Sequence, residues 1–208
     1  MADFELNCFD CAIASVSTDR DVIRRSRENP AVFAELYDRH AKAIHRFVAR
    51  RLTTQVADDL VSETFLVAFE RRRTFDESRE DALPWLYGIV TTLLKKHRRL
   101  EAREWRAGLS SRTREAVDQP GDDSLEAALV VARLRGALRG MAAGDRDALL
   151  LYAWGDLDYE GVAVALGVPV GTVRSRLNRA RRTLRIAAGR FPAEEVDHGR
   201  TDIAPNYP

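Results

Sequence analysis

Arginine and asparagine are the side chains that read base edges in a DNA major groove. A guanidinium pairs with guanine and a carboxamide with adenine, each good pair discriminating by about 1–3 kcal/mol. Between Val170 and Arg190 this chain carries Thr172, Arg174, Ser175, Arg176, Asn178, Arg179 and Arg182, and no acidic residue. On a wheel of about 100° per residue, Val173, Leu177, Ala180 and Leu184 cluster on one side. Ser175, Asn178, Arg179 and Arg182 point the opposite way, flanked by Thr172 and Arg176. One face is core; the other suits bases and phosphates. A solvated basic helix has the same composition, so the segment before it matters. There Asp158 can cap a helix over Tyr159–Leu166, whose Val162, Ala163 and Leu166 give a buried face. Gly167 permits a left-handed helix end and Pro169 prevents continuation. Helix, tight turn, helix is the shape of a DNA-reading helix-turn-helix.

Two other stretches carry charge with a purpose. Asp58, Asp59, Glu63 and Glu70 occur between Gln55 and Glu70 without one Lys or Arg. Such a face repels DNA and suits a basic protein surface, although a solvated acidic helix reads the same way. From Pro84 the polarity reverses: Trp85, Leu86, Ile89, Val90, Leu93 and Leu94 are apolar, then Lys95, Lys96, His97, Arg98 and Arg99 follow without interruption. That is a core helix with a phosphate-binding end. The rings of Phe75, Trp85 and Tyr87 fit either a core or a stacking surface for an unpaired base.

The elements that must position these residues are helices, because i, i+3, i+4 apolar spacing recurs and period-two alternation is scarce. The expected fold class is all-α: two small helical domains joined by a flexible linker, the C-terminal one containing the helix-turn-helix. Residues 1–23 are expected to be an N-terminal extension and 24–106 a domain of three helices, from Pro30, over Gln55–Arg73 and over Pro84–Arg106. Residues 107–124, with Ser, Pro, Gly and acids, read as the linker, 125–190 as a second domain of four helices, and 191–208 as a loose tail.

Composition bounds the function classes. With 208 residues, 45% hydrophobic and 31% charged, the chain suits folded domains rather than disorder. Its apolar runs fall short of the about 18 residues of a membrane helix, and Met1–Cys11 lacks a secretory pattern, so the cytoplasm without membrane insertion is expected. No phosphate-binding glycine loop, metal-spaced His/Cys cluster or nucleophile–base arrangement is evident, which argues against an enzyme, a cofactor or a metal. Cys8 and Cys11 form one CxxC pair, too few for a disulfide framework; incidental thiols, a redox pair and half a zinc site all stay open. Lys+Arg 33 against Asp+Glu 32 gives a net charge of +1, an average that hides the acidic and basic stretches.

Three segments in this order, ADDLVSETFLVAFE (Ala57–Glu70), PWLYGIVTTLLKKHRR (Pro84–Arg99) and DYEGVAVALGVPVGTVRSRLNRAR (Asp158–Arg181), resemble bacterial RNA polymerase sigma factors of the extracytoplasmic-function group, over about Arg24 to Arg190. The resemblance implies a first domain that binds core RNA polymerase and reads the minus-ten promoter element, a second that reads the minus-thirty-five element, and no catalysis. It implies polymerase contacts at Asp58, Asp59, Ser62 and Glu63, and minus-ten contacts at Phe75, Tyr87, Thr92, Lys95, Lys96 and Arg99, with the Phe75–Leu83 loop holding a flipped base. Thr172, Arg174, Ser175, Arg176, Asn178, Arg179 and Arg182 become the minus-thirty-five set. An anti-sigma protein is the further implied partner, besides core polymerase and promoter DNA. The chain departs from the family pattern at Ser62 for glutamine, Gly88 for arginine, Gly161 for glutamate, and Thr91-Thr92 for a segment ending in asparagine. A conventional helix-turn-helix regulator, binding promoters without polymerase, is the competing reading.

Overall fold

The computed structural model describes residues 17–106 and 125–189. The expected linker, the tail, Cys8 and Cys11 lie outside the described residues. Among those described there is no strand. The first bundle consists of α1 (Asp19–Arg25), α2 (Ala34–Ala49), α3 (Thr54–Arg71) and α4 (Leu83–Arg106), with 3-10 turns at Pro30–Phe33 and Arg72–Thr74. The second consists of α5 (Leu125–Gly140), α6 (Ala143–Trp154), α7 (Tyr159–Leu166) and α8 (Val170–Ala187).

One expected boundary moves. Residues 19–23, assigned by sequence to the extension, form most of α1, and Val22 and Ile23 are fully buried in the first bundle. Thr18 and Asp21 form a capping box that starts this helix. Asp19 then ties it down: it accepts hydrogen bonds from Arg39 Nη1 at 3.0 Å and the Ala82 amide at 3.0 Å, and lies 2.6 Å from His40 Nε2. One buried carboxylate thus joins α1, α2 and the entry to α4.

Apolar spacing explains the rest. On α3, Leu60, Val61, Thr64, Phe65 and Ala68 are buried as their spacing requires, and the Thr64 hydroxyl is satisfied by donating to the Leu60 carbonyl at 2.6 Å. Phe69 is only half-buried, holding the Phe33 ring edge-on at 5.3 Å. Leu86, Val90 and Leu94 fill the centre from α4, which packs on α2, α3 and also α7. In the second bundle Val173, Leu177 and Ala180 are buried on the expected face of α8. The α4–α7 contact makes the two apolar cores one continuous cluster.

Burial alone would raise the Asp19 pKa, but the hydrogen bonds from His40, Ala82 and Arg39 and the His40 charge outweigh it and hold the carboxyl at about 2. A depressed carboxylate stabilises the fold above its unfolded pKa, and that stability is lost as pH falls from about 4 to about 2. Asp19→Asn is therefore expected to cost about 1–2 kcal/mol at neutral pH and to flatten the acid limb over that window, read by denaturant titration at several pH values.

Candidate nucleic-acid and protein interfaces

The helix-turn-helix is built from local caps. Asp158 Oδ1 accepts from the Gly161 amide at 2.7 Å, Gly167 ends α7 at φ 62° and ψ 41°, and Pro169 leads into α8. Gly161 is buried; a Cβ there would stand 3.1 Å from Asp158 Oδ1 and 3.3 Å from Leu157, so the glycine that departs from the family pattern fits its packing. From α8, Arg174, Ser175, Asn178 and Arg182 are exposed, while Thr172 and Arg176 are half-buried, the Arg176 guanidinium lying against Gly144. The Ser175 hydroxyl is turned back onto the Gly171 carbonyl at 3.1 Å.

Arg179 does something else. Its Nε and Nη2 donate to the two oxygens of Asp145 at 2.9 and 2.8 Å, in the first turn of α6. Each partner holds the other ionised, so Asp145 is lowered and Arg179 raised by the same fork. The expectation that Arg179 reads bases is revised: in this structure it clamps the recognition helix to α6.

On α3, Asp58, Asp59 and Ser62 are exposed and Glu63 partly so. Asp58 pairs with His45 Nε2 at 3.1 Å, Glu63 with Lys96 Nζ at 3.5 Å, and the Ser62 hydroxyl donates to the Asp58 carbonyl at 3.0 Å. Exposed pairs of this kind contribute about 0–1 kcal/mol and yield readily to a partner. The face has an apolar centre that sequence reading missed. Leu66, one turn beyond Glu63, is 57% exposed, and Tyr37 is half-exposed with its ring edge-on to Phe65 at 4.8 Å. Helical spacing from Asp59 was the available signal for Leu66. An exposed leucine between the carboxylates of Glu63 and Glu70 on one helix has the composition of a protein-binding surface.

The expected minus-ten set divides. Phe75 is 5% exposed and packs against Trp85 at 5.3 Å; Tyr87 is 1% exposed and packs against Phe47 at 4.8 Å. Both rings are core here, which corrects the expectation that they face DNA, and burial pushes the Tyr87 hydroxyl pKa up. Half-buried Trp85 is the ring of this group that reaches the surface. Thr92, Lys95, Lys96 and Arg99 are exposed, but the Thr92 hydroxyl donates to the Gly88 carbonyl at 3.0 Å, and Lys95 Nζ lies 3.1 Å from buried Asp147 Oδ2 on α6.

Asp19, His40 and Asp81 bring ligand atoms within 4.8 Å of one another. Both carboxylates are engaged by protein donors, Asp19 by cationic Arg39 and the Ala82 amide, Asp81 by the Leu83 amide at 2.8 Å. The cluster ties α1 and α2 to the start of α4 and does not fit a metal's donor set.

Residues 36–104 match the family model of sigma-70 region 2, and residues 132–184 that of sigma-70 region 4. The ECF RNA polymerase sigma factor EcfG of Rhodopseudomonas palustris is 36% identical over 129 residues, 62% of this chain and 68% of that protein. The chain belongs to the ECF sigma factors. SigL of Mycobacterium tuberculosis, another of this group, is 30% identical over 158 residues, covering 75% of this sigma factor and 88% of SigL. Two solved structures share the fold at 23% identity. RpoE of Bartonella quintana, in complex with the anti-sigma factor NepR, gives a TM-score of 0.56 over 76% of this chain and 96% of that one. CnrH, in complex with the cytosolic domain of CnrY, gives 0.55 over 84% and 99%. The acidic α3 face lies within the region 2 match and α8 within the region 4 match.

The Arg179–Asp145 fork separates structure from readout. Arg179→Ala is expected to lower the thermal midpoint of the free sigma factor by about 2–4 °C. Arg174→Ala and Arg182→Ala are expected to leave the midpoint unchanged and weaken promoter binding, by thermal melting and gel shift with core polymerase.

Proposed function

We propose that this sigma factor docks on core RNA polymerase through the α3 face centred on Asp59, Glu63 and Leu66, and that it directs initiation at specific promoters. The first bundle engages and melts the minus-ten element along α4, using Thr92, Lys96 and Arg99, with Lys95 joining once its ion pair opens. The second reads the minus-thirty-five element with Arg174, Ser175, Asn178 and Arg182. It acts without catalysis of its own, in the cytoplasm, and is held in check by an anti-sigma protein.

One observation carries the reading: a single chain presents an acidic, apolar-centred face on α3 and an exposed recognition-helix face on α8 whose span contains no acid. A regulator acting alone has use for the second and none for the first. Charge of opposite sign on separate helices suits two partners of opposite charge.

Purified chain and core polymerase, transcribing a broad promoter library, are expected to give defined start sites absent with polymerase alone. Asp59→Lys combined with Glu63→Lys should abolish these starts by preventing holoenzyme formation. Asn178→Ala should spare holoenzyme formation and lose about tenfold or more at promoters bearing the preferred upstream element. Start sites that do not change when the chain is added contradict the proposal.

A further inference from the structure

Between Phe75 and Ala82, both buried, the chain crosses the surface as a loop of six exposed residues, 76–81, that leads into α4. With Asp76, Glu77, Glu80 and Asp81 against Arg79, this loop is acidic. A negative loop at the head of a DNA-binding helix repels phosphate unless its charge is cancelled.

Helix α1 cancels part of it. The Arg20 amide donates to the Glu80 carbonyl at 3.3 Å, and Arg20 Nη2 donates to Glu80 Oε1 at 3.4 Å. Arg27, just past the helix, sets Nη1 2.6 Å from Glu77 Oε1. Its amide still donates to the Arg24 carbonyl, so the helical rise carries on to it. Seven residues at that rise cover about 10.5 Å and three extended residues about 10 Å, so Arg20 and Arg27 meet Glu80 and Glu77 in antiparallel order with matched reach. The ends of the loop are tied to the same helix. Asp19 accepts from the Ala82 amide where the loop closes. Where it opens, Arg27 Nη2 donates to the Arg72 carbonyl at 3.5 Å and Arg72 Nε to the Ser26 carbonyl at 3.3 Å.

The two remaining acids are engaged locally, Asp76 by Ser78 and Arg79, Asp81 by the Leu83 amide. Each exposed ion pair is weak alone, but two pairs, a backbone bond and the Asp19 tie act on the same six residues. Arg27 Nε is buried without a partner, a cost that an arginine merely ending a helix avoids by turning to solvent. Helix α1 also lies before residues 36–104, which match the region 2 family model, so that match assigns it no part.

We propose that α1 is a splint for this loop, and that Arg20 and Arg27 are positioning residues for minus-ten recognition. They hold residues 76–81 in one conformation and cancel Glu80 and Glu77, which lets an unpaired promoter base and its phosphate come against the loop. The proposal rests on the minus-ten assignment of the first bundle under the proposed function. A loop ordered before DNA arrives spares binding the entropy of ordering it. Loss of the splint therefore weakens discrimination among promoters and leaves polymerase docking, which belongs to α3, as it was.

The test uses the full chain carrying Arg20→Gln and Arg27→Gln together. Amide nitrogen-15 relaxation is expected to give residues 77–81 order parameters of about 0.85 in the native chain and below about 0.6 in the double variant, with unchanged helical circular dichroism. In holoenzyme, base preference across a library randomised at the minus-ten element is expected to fall about fivefold or more, with unchanged affinity for core polymerase. Reversing both pairs, Arg20→Glu with Glu80→Arg and Arg27→Glu with Glu77→Arg, is expected to re-order the loop. A loop as ordered in the double variant as in the native chain, or one that the reversed pairs leave loose, overturns the splint. A loop that loosens with base preference unchanged overturns its part in recognition. Native holoenzyme with no base preference at the minus-ten element contradicts the proposed function, and this inference with it, before any variant is made.

Discussion

A helix whose apolar face is broad must be covered from more than one direction, and α4 is that helix. Leu86, Val90 and Leu94 are buried, as are Tyr87, Ile89 and Leu93, which at about 100° per residue widen the apolar face to roughly 160° of the helix. Helices α2 and α3 cover part of this surface and α7 another part. Each buried leucine- or valine-sized side chain is worth about 1.5–3 kcal/mol, against about 0–1 kcal/mol for an ion pair as exposed on one side as Lys95–Asp147. Apolar burial therefore decides where α4 sits, and the ion pair only refines it. The acidic face of α3 and the basic end of α4 occupy their places because α4 does.

Charge is then distributed by partner. A net charge of +1 would suit a protein indifferent to nucleic acid. Resolved onto helices, the same charges form an α3 face of Asp58, Asp59 and Glu63 around Leu66, a basic end at Lys95–Arg99, and a recognition helix free of acids. Some of the basic residues are spent inside the molecule. Arg179 holds α8 to α6 through Asp145, and Arg51 is stacked over Phe47 at 3.8 Å. Counting arginines overstates the surface available to DNA; the exposed ones are what matter.

What could be read from the sequence was local. Asp158, Gly167 and Pro169 define the turn within ten or so positions, so the helix-turn-helix and the buried face of α8 were legible, and so were the bounds of α3 and α4 to within a few residues. Contacts distant in sequence were not. Asp145 lies 34 residues before Arg179, and no wheel drawn for one helix shows that fork. Phe75 and Tyr87 were ambiguous because a ring that stacks on a base and a ring that fills a core are the same ring. Helix α1 has only seven residues, too few for a period to emerge, and its signal was the Thr18–Asp21 capping box. Gly88 showed that a side chain was missing but not that α7 occupies the space.

The central claim is that two faces of one chain serve two partners. Hydrogen–deuterium exchange of the full chain, alone, with core polymerase, and with polymerase plus promoter DNA, tests it most directly. The account predicts protection of α3 around Asp59 to Leu66 on adding polymerase, and protection of α8 around Arg174 to Arg182 on adding promoter. Polymerase that protects α8 and leaves α3 exchanging as in the free chain would contradict it.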